Sequence, residues 1–190
     1  KVSALLGGVS GAFGVHLIQF VCSLYEYKQI DKFRGLGIID ILPNRRDEES
    51  YKRIIKNATR IVQVMGTSCT RFIDDFANSR NRDHLLLDAL NKNQALKVQF
   101  LVPTDEYMDL RSKAGFEADP TQKSHLVKTF GDRIEMRRFE FQARHSMVRV
   151  DENLIVGPVF QEIESRDSPA VHVNTNSVFA EKYITYFEWV

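Results

Sequence analysis

The chain has 190 residues, enough for one well-packed domain and an appendage. Its charge is nearly balanced, with 26 Lys and Arg against 25 Asp and Glu, so nothing global requires nucleic acid and any anion site must be a local cluster. Two cysteines, Cys22 and Cys69, are too few for a disulfide framework, which indicates an intracellular domain with reduced thiols.

The amino-terminal segment is apolar. Residues 4–25 contain no Asp, Glu, Lys or Arg, and a membrane-spanning helix needs about 20 mostly apolar residues. Tyr25 and Tyr27 fit an interfacial aromatic belt, and a basic flank begins at Lys28. The sequence therefore predicts a transmembrane helix within residues 1–27 and a membrane-associated protein with a cytoplasmic globular domain. A buried soluble helix and a signal-peptide remnant are the alternatives.

The remainder is predicted to be a connector at 28–46, punctuated by Gly35 and Gly37, followed by an α/β domain at 47–190. Strand and helix periods alternate through that domain, which predicts one mixed β-sheet flanked by helices. The predicted strands are 60–66, 97–102, 133–139, both arms of 145–156, and 171–173. The predicted helices are 47–59, a short one within 67–78, 84–90, 105–113, 123–130 and 178–189.

The stretch from Arg144 to Pro158 is the most informative for function. His145 opens a strand, a polar turn reverses it, and a second apolar strand ends at Gly157. This layout resembles the catalytic hairpin of the phospholipase D superfamily. There, His-x-Lys is followed by an acidic residue and then by a strand that ends in Gly-Ser or Gly-Gly.

The resemblance covers residues 40–190 and implies half of a phospholipase D fold. It also implies metal-independent phosphodiester chemistry without a cofactor. In that chemistry one histidine attacks phosphorus, and a second histidine from a paired half protonates the leaving oxygen. It assigns the nucleophile to His145 and the acidic position to Asp151 or Glu152. Single-copy members complete their site by pairing two chains, so the resemblance implies a homo-oligomer or a complex.

Two positions depart from the family pattern. Met147 occupies the lysine position and cannot hold an anion, and Phe160 falls near the usual asparagine. Arg149 lies two residues beyond Met147 and therefore points to the same strand face, where it would partly replace the lysine.

Further ligand-binding candidates lie outside the strands of the hairpin. Gly66, Thr67 and Ser68 follow a strand, where backbone amides can meet an anion. Arg144 belongs to a modestly basic stretch, for which an ordinary solvated face is the alternative reading. The resemblance implies that an acidic or serine residue downstream, Glu162, Glu164 or Ser165, orients His145. The other histidines show no metal-ligand spacing, and no metal site is predicted.

Three functions follow as hypotheses. The first is a membrane-anchored effector or sensor, in an architecture that resembles bacterial antiviral defence modules, whose degenerate phospholipase D-like domain binds a partner or a phosphate-bearing ligand. The second is a metal-independent phosphodiesterase or nuclease that acts as a dimer through His145, with nucleic acid as a partner. The third is an interaction scaffold without ligand or chemistry.

Overall fold

A computed structural model describes residues 19–28, 30–46, 48–80, 84–108, 120–160 and 163–190. The chain divides into two units, Lys1–Leu36 and Gly37–Val190. In the first unit the described residues of 19–35 are helical and form α1. No helix among the described residues is long and apolar enough to cross a membrane. Most of the predicted transmembrane helix, residues 1–18, lies outside the described residues.

The second unit is built on one seven-stranded mixed sheet with the strand order β1-β7-β6-β5-β2-β3-β4. Strands β2, β3 and β4 pair in parallel, and the remaining neighbours pair antiparallel. The strands are β1 (Ile38–Leu42), β2 (Ile61–Met65), β3 (Lys97–Pro103), β4 (Ile134–Phe139), β5 (His145–Val150), β6 (Asn153–Pro158) and β7 (Ala170–Asn174). The predicted mixed sheet is confirmed. The edge strand β1 falls in the stretch predicted as a connector, so that stretch contains a sheet strand.

Helices cover both faces of the sheet. They are α2 (Glu48–Lys56), α3 (Thr70–Ala77), α4 (Leu85–Lys92), α5 (Pro120–Phe130) and α6 (Val178–Trp189). Side chains of α2 to α5 form one hydrophobic core with one sheet face, and α6 forms a second core with the other face. Of the helix predicted at 105–113, residues 105–107 form a turn and 109–113 lie outside the described part of the chain.

Helix α2 illustrates why these segments fold as they do. Tyr51, Ile54 and Ile55 recur at helical spacing and are all buried against the sheet, where each large apolar side chain contributes about 1.5–3 kcal/mol. Glu48 and Glu49 lie in its first turn, where acidic groups interact favourably with the helix dipole. Helix α2 is therefore stabilised both by burial of its apolar face and by acidic residues at its amino-terminal end.

The turn between β5 and β6 is held by Asp151, which has a left-handed φ of 50°. Its carboxylate accepts hydrogen bonds from the backbone N–H groups of Thr59 (2.7 Å), Arg60 (2.9 Å) and Ile61 (2.9 Å). Burial alone would raise the pKa of Asp151, but these bonds outweigh burial and the pKa lies below its ordinary value. The hairpin is thereby fixed to the start of β2.

We expect Asp151→Ala to lower the free energy of unfolding by about 3 kcal/mol, because buried N–H groups lose a charged acceptor. Because the folded-state pKa is depressed, the contribution of Asp151 is complete above its unfolded pKa and is lost as pH falls through the folded value. Denaturant unfolding between pH 7 and pH 2 measures both effects. Glu152→Ala is the control, since Glu152 is exposed and pairs with exposed Arg60. Equal stability of the two variants would contradict this role.

Candidate anion-binding site

A pocket of about 120 Å³ lies at the carboxyl end of β2, on the sheet face covered by α2 and α3. We call it the Gly66 pocket. Four of the predicted ligand-binding residues line it, namely Gly66, Thr67, Ser68 and Ser165. The structure thus brings one predicted loop and one distant predicted serine to the same pocket.

Arg45 is the principal charged group of the Gly66 pocket, and its residue is only 6% exposed. Its Nη1 donates to the Ser146 hydroxyl, and its Nη2 donates to the Pro158 carbonyl at 2.8 Å. Its Nε is buried and has no hydrogen-bond partner in the described part of the chain. Among the described residues no carboxylate forms an ion pair with Arg45. Burial lowers its pKa, although a guanidinium keeps its proton at neutral pH. The pocket therefore contains a buried cation without a described counter-ion.

Gly157 makes room for this guanidinium. It pairs with Ser146 across the hairpin. A Cβ at position 157 would overlap the carbonyl oxygen of Pro169 and would lie 2.5 Å from Arg45 Nη2. Both the Pro169 carbonyl and the Arg45 guanidinium therefore require a glycine at this position of β6.

The loop after β2 leads directly into α3. Cys69 precedes the helix with a left-handed φ of 54°, which turns the chain so that α3 begins at the pocket. The amino-terminal end of a helix carries partial positive charge. Arg71 in its first turn donates to the Arg45 carbonyl at 3.2 Å and lies 3.2 Å from Asp75 Oδ2. The pocket therefore brings positively charged groups and hydroxyl groups close together. Such an arrangement favours the binding of an oxyanion.

The residues predicted as nucleophile and as substitute cation lie on the other face of the sheet. His145 contacts the rings of Tyr183 and Tyr186 on α6, with centroid distances of 5.3 and 5.1 Å. Met147 is completely buried in the α6-side core. Arg149 donates to Gln63 Oε1 at 2.9 Å. Strand alternation gives these three residues one face, as predicted, but the pocket faces Ser146 and Val148.

The surroundings of His145 favour a neutral imidazole. Burial and the nearby charge of Arg45 both lower its pKa from the ordinary value of 6.5. Its Nε2 is buried and has no hydrogen-bond partner in the segments that the structure describes. A histidine nucleophile needs access to phosphorus and cationic groups around the phosphoryl oxygens, whereas the buried cation Arg45 bonds to Ser146 on the opposite face.

The remaining predicted residues have other surroundings. Arg144 is exposed, and Asp151 lies at the far turn of the hairpin, where it bonds to backbone N–H groups. No group of three metal-ligating side chains occurs among the described residues. The residue that sequence reasoning missed is Arg45, which stood in the predicted connector. The only sequence signal was the Arg45-Arg46 pair after Pro43, and it does not indicate which arginine is buried.

Comparisons with known proteins concern the fold. No protein-family model matches the sequence, and no curated protein matches it. Solved structures that resemble the chain include the archaeal chromatin protein TrmBL2, at 13% identity and a TM-score of 0.49, covering 92% of this chain and 63% of that one. NucT from Helicobacter pylori is 12% identical with a TM-score of 0.47, covering 76% and 87%. Phosphatidylserine synthase from Haemophilus influenzae Rd KW20 is 12% identical with a TM-score of 0.51, covering 81% and 36%.

The likeness to phosphatidylserine synthase supports a phospholipase D-like fold. At 12% identity it concerns the fold and not the activity. The chain spans 63% of the TrmBL2 chain and 36% of the synthase chain.

We expect Gly157→Ala to displace Arg45 and to lower the free energy of unfolding by about 1–3 kcal/mol, because the added methyl group overpacks a closed site. The matched control is Gly66→Ala in the same pocket, where the nearest atoms to an added Cβ are 3.8 and 3.9 Å away. Chemical denaturation of both variants measures the difference. Equal stability of the two variants would contradict the close packing around Gly157.

Proposed function

We propose that Gly37–Val190 is a phospholipase D-like domain that binds a phosphate-bearing ligand in the Gly66 pocket and does not hydrolyse it. The observation that carries this proposal is Arg45, which is buried, charged and without a described carboxylate partner. Burying an unpaired charge costs several kcal/mol of stability. A bound phosphate would provide the missing negative charge, and a guanidinium can grip two phosphate oxygens at once.

The rest of the Gly66 pocket supports an anion. The first turn of α3 directs its positive end to the pocket, and Ser146, Thr67 and Ser68 provide hydroxyl groups. Two carboxylates also line the pocket. Each has a cationic neighbour on its own helix, since Glu48 lies 3.4 Å from Lys52 and Asp75 lies 3.2 Å from Arg71. Arg45 is thus the pocket cation that a ligand would neutralise.

The absence of turnover in this proposal follows from the position of His145. Its ring packs against Tyr183 and Tyr186 on the face away from the Gly66 pocket. Met147 stands at the position of the family's lysine and is buried in the core, so this position of β5 has no cation. A phosphate held by Arg45 would therefore lie across the sheet from the imidazole.

The proposal includes an amino-terminal membrane anchor and a role as an effector or sensor in antiviral defence, with the domain in the cytoplasm. The support for the anchor is the charge-free run at residues 4–25. The defence role rests on the likeness of this architecture to such modules.

We expect the full chain to bind inorganic phosphate in a salt-sensitive manner, and Arg45→Met to weaken that binding by about 10–100-fold, because charged hydrogen bonds are lost. The variant should retain its thermal stability or gain some, since a buried unpaired charge is removed. Isothermal titration and thermal unfolding measure the two effects. The matched control is Arg46→Met, because the adjacent Arg46 is exposed and pairs with Asp167 at 2.5 Å.

The competing functions predict different outcomes in a hydrolysis assay and in the phosphate titration. Hydrolysis of bis(4-nitrophenyl) phosphate that vanished in His145→Ala would contradict the non-catalytic proposal and favour the phosphodiesterase. The absence of any salt-sensitive phosphate binding would favour the interaction scaffold.

We expect the full chain to co-sediment with phospholipid vesicles, and a chain that starts at Lys32 to remain monodisperse in plain buffer, because the shortened chain lacks the charge-free run. Sedimentation with vesicles and size-exclusion chromatography measure these properties. The same behaviour of both chains would contradict the membrane anchor.

A further inference from the structure

The hydrophobic core on the α2-to-α5 side of the sheet opens into the Gly66 pocket. Cys69 and Val148 pack against this core, line the pocket and are only partly buried. Val148 lies on β5, which is paired on both sides, to β2 and to β6. Because neighbouring strands cover both edges of β5, the exposed surface of Val148 faces the pocket. The pocket therefore offers apolar surface to a ligand as well as the charge of Arg45.

Helix α3 lines the pocket with two different pairs of side chains. Phe72 and Phe76 lie four residues apart, are both buried and have ring centroids 5.2 Å apart. Arg71 and Asp75 are half-buried and form an ion pair at 3.2 Å. Residues at this spacing lie on one face of a helix. Helix α3 thus presents an aromatic stripe to the inner part of the pocket and a charged stripe to its outer part.

The acidic residues of the pocket already have cationic partners. Asp75 pairs with Arg71, and Glu48 lies 3.4 Å from Lys52. Among the lining residues in the described part of the chain, Arg45 is thus the cation without a carboxylate partner. A ligand needs an anionic group for Arg45, whereas the paired acids require no charge on the rest of the ligand.

The size and the surface of the pocket favour a small apolar substituent. A cavity of about 150 Å³ holds one benzene molecule, and the Gly66 pocket has about 120 Å³. An apolar group beside Val148, Phe72 and Phe76 would remove its own surface and theirs from water, which stabilises a complex in proportion to the buried area. A hydroxylated group at the same place would lose hydrogen bonds to water. The two kinds of substituent should therefore differ in affinity.

We infer that the ligand of the Gly66 pocket is a phosphate ester with a short apolar substituent, a ligand class that rests on the proposed function. Its phosphate lies on Arg45, and its substituent packs against Val148, Phe72 and Phe76. Arg45 selects the anionic group, and the apolar side chains of α3 and β5 select the group attached to it. An ester of a polyol would satisfy Arg45 but would place hydroxyl groups against this apolar surface.

Two probes of equal chain length test this ligand class in titrations of the full chain. n-Propyl phosphate and glycerol 3-phosphate have the same carbon skeleton, and glycerol 3-phosphate carries additional hydroxyl groups. We expect n-propyl phosphate to bind about tenfold more tightly at the same pH and salt concentration, a difference of about 1.4 kcal/mol. Its heat capacity change on binding should also be more negative, because more apolar surface is buried.

Variants of single valines locate the contact. Val148→Thr keeps the shape of the side chain but replaces a methyl group by a hydroxyl group, so the preference for n-propyl phosphate should fall to about threefold or less. Val171→Thr is the matched control and should keep the preference. Val171 is also a half-buried strand valine, but it packs on the α6 side and does not line the pocket.

Thermal unfolding verifies that each variant is folded. Val159→Thr provides a second test if Val148→Thr unfolds, because Val159 is a half-buried residue of the pocket wall just after β6. The preference for n-propyl phosphate should fall in this variant too.

The outcomes distinguish this ligand class from the proposed function. Equal affinities, or tighter binding of glycerol 3-phosphate, would overturn the apolar substituent and leave phosphate binding intact. A full preference for n-propyl phosphate in both Val148→Thr and Val159→Thr would overturn the contact of the substituent with the Gly66 pocket. No binding of either ester, together with no binding of inorganic phosphate, would overturn the proposed function itself.

Discussion

The register of β5 against β2 determines which side chains of the hairpin reach the Gly66 pocket. Met147 pairs with Met65 and Val150 pairs with Val62, and Asp151 fixes this alignment through the N–H groups of residues 59–61. A shift of one residue would exchange the two faces of a strand, and His145 would then face the pocket in place of Ser146. The Asp151 carboxylate at the turn thus contributes to which side chains at the far end of the hairpin face the pocket.

Arg45 occupies its place because three separate segments meet there. Its side chain bonds to Ser146 on β5 and to the Pro158 carbonyl on β6, and its backbone N–H donates to the Arg166 carbonyl at 2.8 Å. Each of these partners lies more than 100 residues along the chain. The position of the guanidinium therefore depends on contacts between segments that are distant in the sequence.

The sequence predicted the sheet and its hairpin because their signals are local. Apolar alternation marks β2, β3 and β6, and the period of two also predicted that His145, Met147 and Arg149 share a face. It could not predict which face carries the pocket, because that depends on where α3 and α6 pack. β1 was missed because Gly37 and Pro43 frame a short stretch typical of a connector, and its partner β7 lies over 125 residues away. The burial of Arg45 could not be predicted from the sequence either, because its partners Ser146 and Pro158 are also distant along the chain.

On the sheet face that carries His145, buried polar side chains are hydrogen-bonded to one another. Gln63 is completely buried and joins Gln99, Glu188 and Arg149 in one hydrogen-bonded network. Recruiting Arg149 to a phosphate would leave buried polar atoms of this network without partners, which costs about 1–3 kcal/mol for each atom. Arg149 is therefore held by structural contacts, and the buried cation of the Gly66 pocket, Arg45, comes from a segment outside the hairpin.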